Sequence, residues 1–391
     1  MKRIGICIEW DRSWGRNICE GICAFAQTQP DWSLTLLKPA DFKKSATPTD
    51  FDGFITHMPD SLLEDLLAHT HGTVVDLACR VRYDARVVRG IWQDNAAIGK
   101  LAARHFLEHH FTRFAFCGYD GQPFSDFRKD SFIHYLEHHQ RRVEVYSCSA
   151  AVTRTFAADA VRGERLNSAP DSRQLVRWLK SLPKPIAVFC ANDLRGLQVI
   201  MACEDAGIAV PQEVAVLGVD NDTLICNFVT PTLSSIDPDA TTLGFIAAES
   251  LQYALEGGVD PSNGRIVKPR ELITRASSNI FPLDPPWLSD ALIYIRRNIN
   301  HHISAQHVYA ALGRSHTNVN AAFREKLGTS VQAEIRRVAL EEAKRLLCKT
   351  DLSIADIAKR TGFHTPQYFC NTFTNAFGKS PTAFRQPHPE N

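Results

Sequence analysis

At 391 residues the chain is too long for one ordinary core and points to two or three domains. Its 44% hydrophobic and 22% charged composition excludes a disordered chain, and the absence of any run of about 18 apolar residues excludes a transmembrane helix. The net charge of +1 conceals an asymmetry: from Trp287 onward 14 Lys+Arg face 8 Asp+Glu, whereas the remainder carries 30 against 35. A basic module on a mildly acidic body suits a DNA-binding tail on a sensor.

The opening MKRIGICIEWDRSW breaks its apolar run at Glu9 and Asp11, too early for a signal-peptide core, and reads as a first strand over Arg3–Glu9. A helical pattern over Asn17–Gln27 follows, then strand-like runs at Ser33–Lys38, Asp52–Met58, Thr73–Leu77 and Val88–Trp92. Gln93-Asp94-Asn95 leads into a long amphipathic helix ending near His110. Arg113–Tyr119, Val143–Ser147, Ala187–Ala191 and Val214–Val219 repeat the strand signal. Helices follow or separate them: one through Phe132 to His139, then Ser172–Ser181, Leu194–Ala206 and Thr241–Glu256. Strands alternating with helices over residues 1–277 predict an α/β body of two doubly wound parallel-sheet subdomains, with ligands bound at loops after strand C-termini. Eleven cysteines without CxxC pairs, with Cys7, Cys117 and Cys190 in apolar runs, suit buried thiols in a reducing cytoplasm. No Cys/His spacing suggests zinc, and His134, His138 and His139 have no carboxylate partner, so neither metal nor cofactor is expected. Lys43-Lys44 reads as a solvated loop.

The stretch AVFCANDLRGLQVIMACEDAGIAVPQEVAVLGVDND, Ala187–Asp222, resembles the sugar-sensing core of the lactose/galactose repressor family, which shares its fold with periplasmic sugar-binding proteins. The resemblance rests on Ala191-Asn192-Asp193, on Ile208–Asn221, on PTLSSI at Pro231–Ile236, and on Asp94-Asn95 before a helix. Those repressors carry an N-terminal helix-turn-helix, whereas this chain starts on a strand. A sugar asks for planar amides and carboxylates that bind vicinal hydroxyls, and for an aromatic face. Asn192 and Asp220 follow strands and offer such groups, with Asp193 either a ligand or a helix cap. Arg128 and Phe132 match the family's R-x-x-G-F segment, with Ser131 in place of its glycine. Trp10, Asp11 and Trp14 in the first loop offer a stacking face and a carboxylate.

Ile280–Pro286 (IFPLDPP) is proline-rich and marks a linker over 278–286, ahead of an all-α domain over 287–391. Helical periodicity resumes at Leu288–Asn298. Two segments then repeat at an offset of 50: Phe323 with Phe373, Gly328 with Gly378, Ser330 with Ser380. Each reads as helix, tight turn (Leu312-Gly313 or Gly362-Phe363) and second helix, and Val331–Cys348 lies between as one long helix. The pattern resembles the DNA-binding domain of the AraC family. It is carried by Arg336, Ala343, Leu346 and Leu347, by Ile354–Ala358, Gly362-Phe363, Tyr368-Phe369 and Phe373, and by Phe377-Gly378, Ser380-Pro381 and Phe384-Arg385; Phe384 stands where that family has Tyr. Each second helix is expected to enter a major groove. His316, Thr317, Asn320 and Ala321 of the first, and Thr365, Gln367, Tyr368 and Asn371 of the second, are expected to face bases. Arg314, Arg324, Lys326, Lys379 and Arg385 are expected to face phosphates.

A sugar-repressor-like body with an AraC-type tail resembles the XylR family, regulators of bacterial xylose operons. The resemblance implies a cytoplasmic homodimer on repeated operator half-sites of double-stranded DNA, activated by a pentose such as xylose and working with RNA polymerase, with no membrane partner and no catalytic activity. Other readings are a regulator of the same architecture that answers another sugar or represses, a sugar-transport protein, and a DNA alkyl-transfer enzyme with an AraC-type tail. The enzyme needs an activated thiolate, and Cys79 and Cys148 have no partnered His nearby in sequence.

Overall fold

A computed structural model describes residues 1–37, 48–78, 87–88, 91–149, 171–258 and 265–385; Lys43, Lys44 and Cys79 lie outside these. The chain divides into two compact units, Met1–Asn279 and Ile280–Asn391.

The first unit is built on two sheets. Strands β1 (Lys2–Cys7), β2 (Trp32–Leu37), β3 (Gly53–Thr56), β4 (Thr73–Asp76) and β5 (Val87–Val88) form a parallel sheet in the order β2-β1-β3-β4-β5. Helices α1 (Ser13–Ala26) and α2 (Asp60–His69) follow β1 and β3. After the short β6 (Trp92–Gln93) the chain enters a second lobe through α3 (Asn95–Glu108). There β7 (Phe114–Asp120), α4 (Pro123–His138), β8 (Val143–Ser149), α5 (Ser172–Ser181), β9 (Ile186–Cys190), α6 (Asp193–Ala206), β10 (Val214–Val219), α7 (Thr223–Phe228) and β11 (Ser234–Asp237) follow. The chain then returns to the first lobe as α8 (Ala240–Leu255), passes β12 (Ile266–Val267) beside β6, and ends in β13 (Glu271–Ile273). The second sheet runs β13-β11-β10-β9-β7-β8.

The doubly wound α/β expectation is met, with one amendment. β13 pairs antiparallel with β11 because it re-enters the second lobe from the first instead of through a helical crossover. β9 and β10 are buried at every residue, as strands covered on both faces must be. α2 was not anticipated, although Leu63, Leu66 and Leu67 fall at helical spacing on its buried side. α1 begins four residues before the expected Asn17, so Trp14 lies on the helix and not in the loop.

The second unit is helical. α9 (Trp287–Asn298), α10 (Ala305–Leu312), α11 (His316–Leu327), α12 (Val331–Lys349), α13 (Ile354–Arg360), α14 (Pro366–Phe377) and α15 (Pro381–Arg385) enclose one core. Val319 and Phe323 on α11 and Phe369 and Phe373 on α14 are fully buried at repeat-related positions. Phe281, within the proline-rich stretch, belongs to this core. Among the described residues no helix is long and apolar enough to cross a membrane.

α1 and α8 cross closely through Gly21 and Gly244. A Cβ on Gly244 would lie 2.1 Å from the Ile18 carbonyl oxygen, and one on Gly21 would lie 1.9 Å from that of Thr241. Backbone cannot yield as a side chain does, so Gly244→Ala is expected to cost about 1–3 kcal/mol. A lower urea midpoint would show this; an unchanged midpoint would mean that the helices separate freely.

Candidate functional site

The body's candidate site lies where parallel strands end. α4 begins after β7, and its first turns carry Arg128 to the end of β9. There the guanidinium is 2% exposed; Nε donates to Asn95 Oδ1 (2.9 Å) and Nη1 to the Ala191 carbonyl (2.5 Å). Burial lowers its pKa, opposed by the charges of Asp220 and Asp193. Asn192 caps α6: its Oδ1 accepts the Arg195 amide (3.0 Å) and the Tyr119 hydroxyl (3.1 Å). Asp220 follows β10 with φ 109°, and its amide donates to the Ile236 carbonyl (2.9 Å). Burial raises its carboxyl to about 6, with Arg128 and then Arg12 pulling it down. Among the described residues, Arg128 Nη2, Asn192 Nδ2 and the Asp220 carboxylate make no hydrogen bond. Two N–H donors with one acceptor carboxylate match the needs of neighbouring sugar hydroxyls.

Two expected site residues are bonded or packed inside the protein. Asp193 is the first residue of α6, not its cap, and is 1% exposed. Its Oδ1 accepts the Ser235 hydroxyl (2.6 Å) and its Oδ2 the Asp222 amide (2.8 Å), which leaves it tying β10 to β11. Phe132 lies one helical turn beyond Arg128 and is fully buried, its ring 5.1 Å from Phe189. In the first lobe Trp14 is half-buried with its ring 4.6 Å from His57, whereas Trp10 and Asp11 are exposed. The Asp11 carbonyl accepts from Arg16 (2.7 Å), which pins that loop.

Three residues escaped the sequence reading. Arg12, beside the noted Asp11, acts electrostatically on Asp220 and on Tyr119. Arg195 is fully buried; it pairs with Asp171 (2.9 Å) and lies over the rings of Tyr146 (5.3 Å) and Tyr119 (5.7 Å), and so holds the tyrosine that holds Asn192. Asp76, at the end of β4, accepts the Thr56 hydroxyl (2.8 Å), and burial lifts its carboxyl to about 7. A signal existed only for Arg12; nothing local says that Arg195 and Asp76 are buried. Cys148 is buried, which pushes its thiol up to about 12, the opposite of an activated nucleophile.

In the second unit, Gly313 (φ 59°) and Gly362 (φ 80°) make the tight turns that a residue with a Cβ resists. Ser315 and Thr365 cap the second helices α11 and α14 by accepting the amides of Asn318 (3.4 Å) and Tyr368 (3.2 Å). His316, Thr317 and Ala321 on α11, and Gln367, Tyr368 and Asn371 on α14, are exposed, as is the cap Thr365. Gln367 Nε2 donates to Asn371 Oδ1 (3.2 Å), which presents the two amides as one polar edge. Arg314 is exposed and lies 4.8 Å over the Trp287 ring.

Two of the residues expected to face DNA also bond within the unit. Asn320 is half-buried: its Nδ2 donates to the Tyr309 hydroxyl (2.6 Å) and the His316 carbonyl (3.1 Å), and its Oδ1 accepts the Val331 amide (3.4 Å). It braces α10, α11 and α12. Arg385 donates to the Leu352 carbonyl and anchors α15 to the loop before α13.

Residues 103–278 match the periplasmic binding protein-like domain family, and residues 308–387 match a helix-turn-helix domain family. The chain is 26% identical to the xylose operon regulatory protein of Haemophilus influenzae, over 98% of each chain. It is 27% identical to that of Escherichia coli K12, over 99% of this chain and 98% of the other. A solved structure described as the xylose-binding transcription activator xylR superposes with a TM-score of 0.58 at 26% identity, covering 98% of this chain and 97% of that one. The chain is similar to XylR-type regulators over its whole length. Its body carries a periplasmic binding protein-like domain and its tail a helix-turn-helix domain, with the exposed polar faces of α11 and α14 forming the candidate nucleic-acid interface.

Two outcomes follow from this regulator's sites. Between about pH 4 and 7 the native Asp76 carboxyl keeps a proton that the unfolded chain has released, so stability falls as pH rises through that window. Asp76→Asn is expected to flatten the decline in urea titrations from pH 4.5 to 7.5, and an unchanged slope would assign the ionisation elsewhere. On the tail, Gln367→Ala is expected to relax preference at one base position by about 1–3 kcal/mol of discrimination in selected-DNA binding. A uniform loss over all sequences would make Gln367 a positioning residue.

Proposed function

We propose that this regulator is a xylose-activated transcriptional activator of a pentose catabolic operon. The observation that carries the reading is the trio Arg128 Nη2, Asn192 Nδ2 and Asp220 carboxylate, polar ends held at strand termini and left without an internal partner among the described residues. Whole-length similarity to proteins named for the xylose operon supports the choice of pentose. Arg128, Asn192 and Asp220 bind hydroxyls, and Trp10, Asp11, Arg12 and Trp14 close over the sugar from the first lobe. α11 and α14 lie in successive major grooves, about 34 Å apart on one DNA face. Arg314, His316, Thr317, Ala321, Thr365, Gln367, Tyr368 and Asn371 make the DNA contacts.

The protein is cytoplasmic, carries no catalytic activity, acts on RNA polymerase at its operator, and works as a homodimer. The buried, proton-bearing Cys148 supports the absence of thiol chemistry. Leu224 and Phe228 on α7 are 71% and 80% exposed, an apolar pair suited to burial against a second copy; sedimentation reads the pairing directly.

The deciding experiment is a thermal-shift panel of pentoses and hexoses on the whole chain. D-xylose is expected to raise Tm, by an amount equivalent to about 2.7 kcal/mol at a concentration of 100 times Kd. A shift with another sugar alone would reassign the ligand. No shift with any sugar would remove the sensor reading and leave the DNA-binding one.

A further inference from the structure

The body's last residues, 274–278, run as a strap over β10 and β11 immediately before the DNA-binding unit. The backbone of Ser277 is stitched to β10: the Val216 amide donates to its carbonyl (2.8 Å), and its hydroxyl donates to the Val216 carbonyl (2.6 Å). Its amide donates to the Thr232 carbonyl (2.9 Å). β10 is the strand that ends in Asp220. Arg275 makes the side-chain link: Nη2 donates to Asn221 Oδ1 (2.8 Å) and Nη1 to the Leu233 carbonyl (2.9 Å). Asp220 and Asn221 both sit at positive φ, 109° and 47°, a backbone that non-glycine residues keep only where neighbours impose it. Arg275 is one of those neighbours.

A second route reaches the same strap. Arg128 holds Asn95, the first residue of α3. Ten residues on, about 15 Å along the helix, His105 Nε2 shares a 2.9 Å hydrogen bond with the Ser278 hydroxyl. Both candidate sugar-binding charges, Asp220 and Arg128, are thus wired through rigid elements to Arg275–Ser278. Only Asn279 and Ile280 separate Ser278 from Phe281, which is fixed in the core of the DNA-binding unit.

We infer that the strap Arg275–Ser278 relays sugar occupancy to the DNA-binding unit, with Arg275 as the residue that couples loop 220–222 to it. The inference rests on the sugar-sensor reading. A ligand moves such an element only through its different affinity for two states. The amides of residues 220–222 are fixed to Ile236, Ser235 and Asp193, and the side chain of Asn221 is held by Arg275, so the Arg275 bond is the link that passes to the strap when Asp220 takes up hydroxyls. Arg275 is a positioning residue: it touches neither the proposed sugar ligands nor the DNA-reading faces.

The test uses the full chain, D-xylose, and a DNA duplex that the wild-type protein selects from a random pool. In the wild type, saturating D-xylose is expected to change DNA affinity about tenfold, and saturating DNA to change D-xylose affinity by the same factor, since coupling is reciprocal. Arg275→Ala is expected to keep the D-xylose thermal shift and the sugar-free DNA affinity within about twofold while both cross-effects collapse below about twofold. A wild-type cross-effect in Arg275→Ala, or loss of D-xylose binding itself, would overturn the relay. Ser278→Ala, which removes one hydroxyl and leaves the fold, is expected to cut the cross-effect at least about threefold; a full response there and in Arg275→Ala sinks both routes. Should Arg275→Ala fail to fold, Asn221→Ala removes the same bond from its other end and carries the same expectation. Failure of the sugar reading is seen separately, as a wild-type protein whose DNA affinity no pentose alters, and the relay falls with it.

Discussion

A single buried guanidinium organises the body. Arg128 is buried, and a buried charge needs hydrogen-bond partners to replace the water it has lost. It therefore recruits Asn95 from α3 and the Ala191 carbonyl from the end of β9, and it feels the carboxylate of Asp220 after β10. Three elements from different parts of the chain are drawn to one point. Tyr119 and the Arg195–Asp171 pair support the arrangement from below by fixing Asn192. Arg128 Nη2, Asn192 Nδ2 and the Asp220 carboxylate keep hydrogen-bonding capacity that the described residues leave unused, and under the proposed function a sugar takes it up.

The tail solves a different problem with one core and one long helix. Repeat-related aromatic and aliphatic residues, Val319 with Phe369 and Phe323 with Phe373, bury the inner faces of α11 and α14 alike. The outer faces are then free to carry different polar residues. Rigidity between the units of the repeat comes from bonds that look, in sequence, like reading contacts. Asn320 joins α10, α11 and α12, and Arg385 closes α15 onto the loop before α13. A polar residue near a recognition face is therefore as well suited to bracing it as to reading DNA, and only its partners distinguish the two.

The alternation of strands and helices was legible because strands buried on both faces must be apolar throughout, as β9 and β10 are. Boundaries shifted where the local signal was ambiguous. Arg12-Ser13-Trp14-Gly15 reads as loop, yet α1 starts at Ser13. The antiparallel β13 is three residues long, too short to announce itself, and its direction follows from the route of the chain between lobes. Arg128, Asn192 and Asp220, the residues proposed to bind sugar, stand out in sequence because polar residues directly after apolar strands or in a matching motif do so. Phe132 and Asp193 share those motifs but are taken up inside: Phe132 shares a helix face with Arg128 one turn deeper and packs on Phe189, and the Asp193 carboxylate is bonded by Ser235 and Asp222.

The sequence by itself determined the class of protein: an α/β body whose AND and VDND segments follow strands, and a tail whose 50-residue repeat demands two helix-turn-helix units. Both rest on local periodicity and short-range turn chemistry, which a chain carries wherever it folds. The tertiary structure alone decided which polar groups are spent internally and which are left over. Asp193, Asn320 and Arg385 are consumed by partners 42, 11 and 33 positions away, and Arg275 meets Asn221 across 54. Hydrogen-bond saturation is a property of three-dimensional neighbours, so which polar groups are bonded internally and which are left over is settled only once the chain has folded.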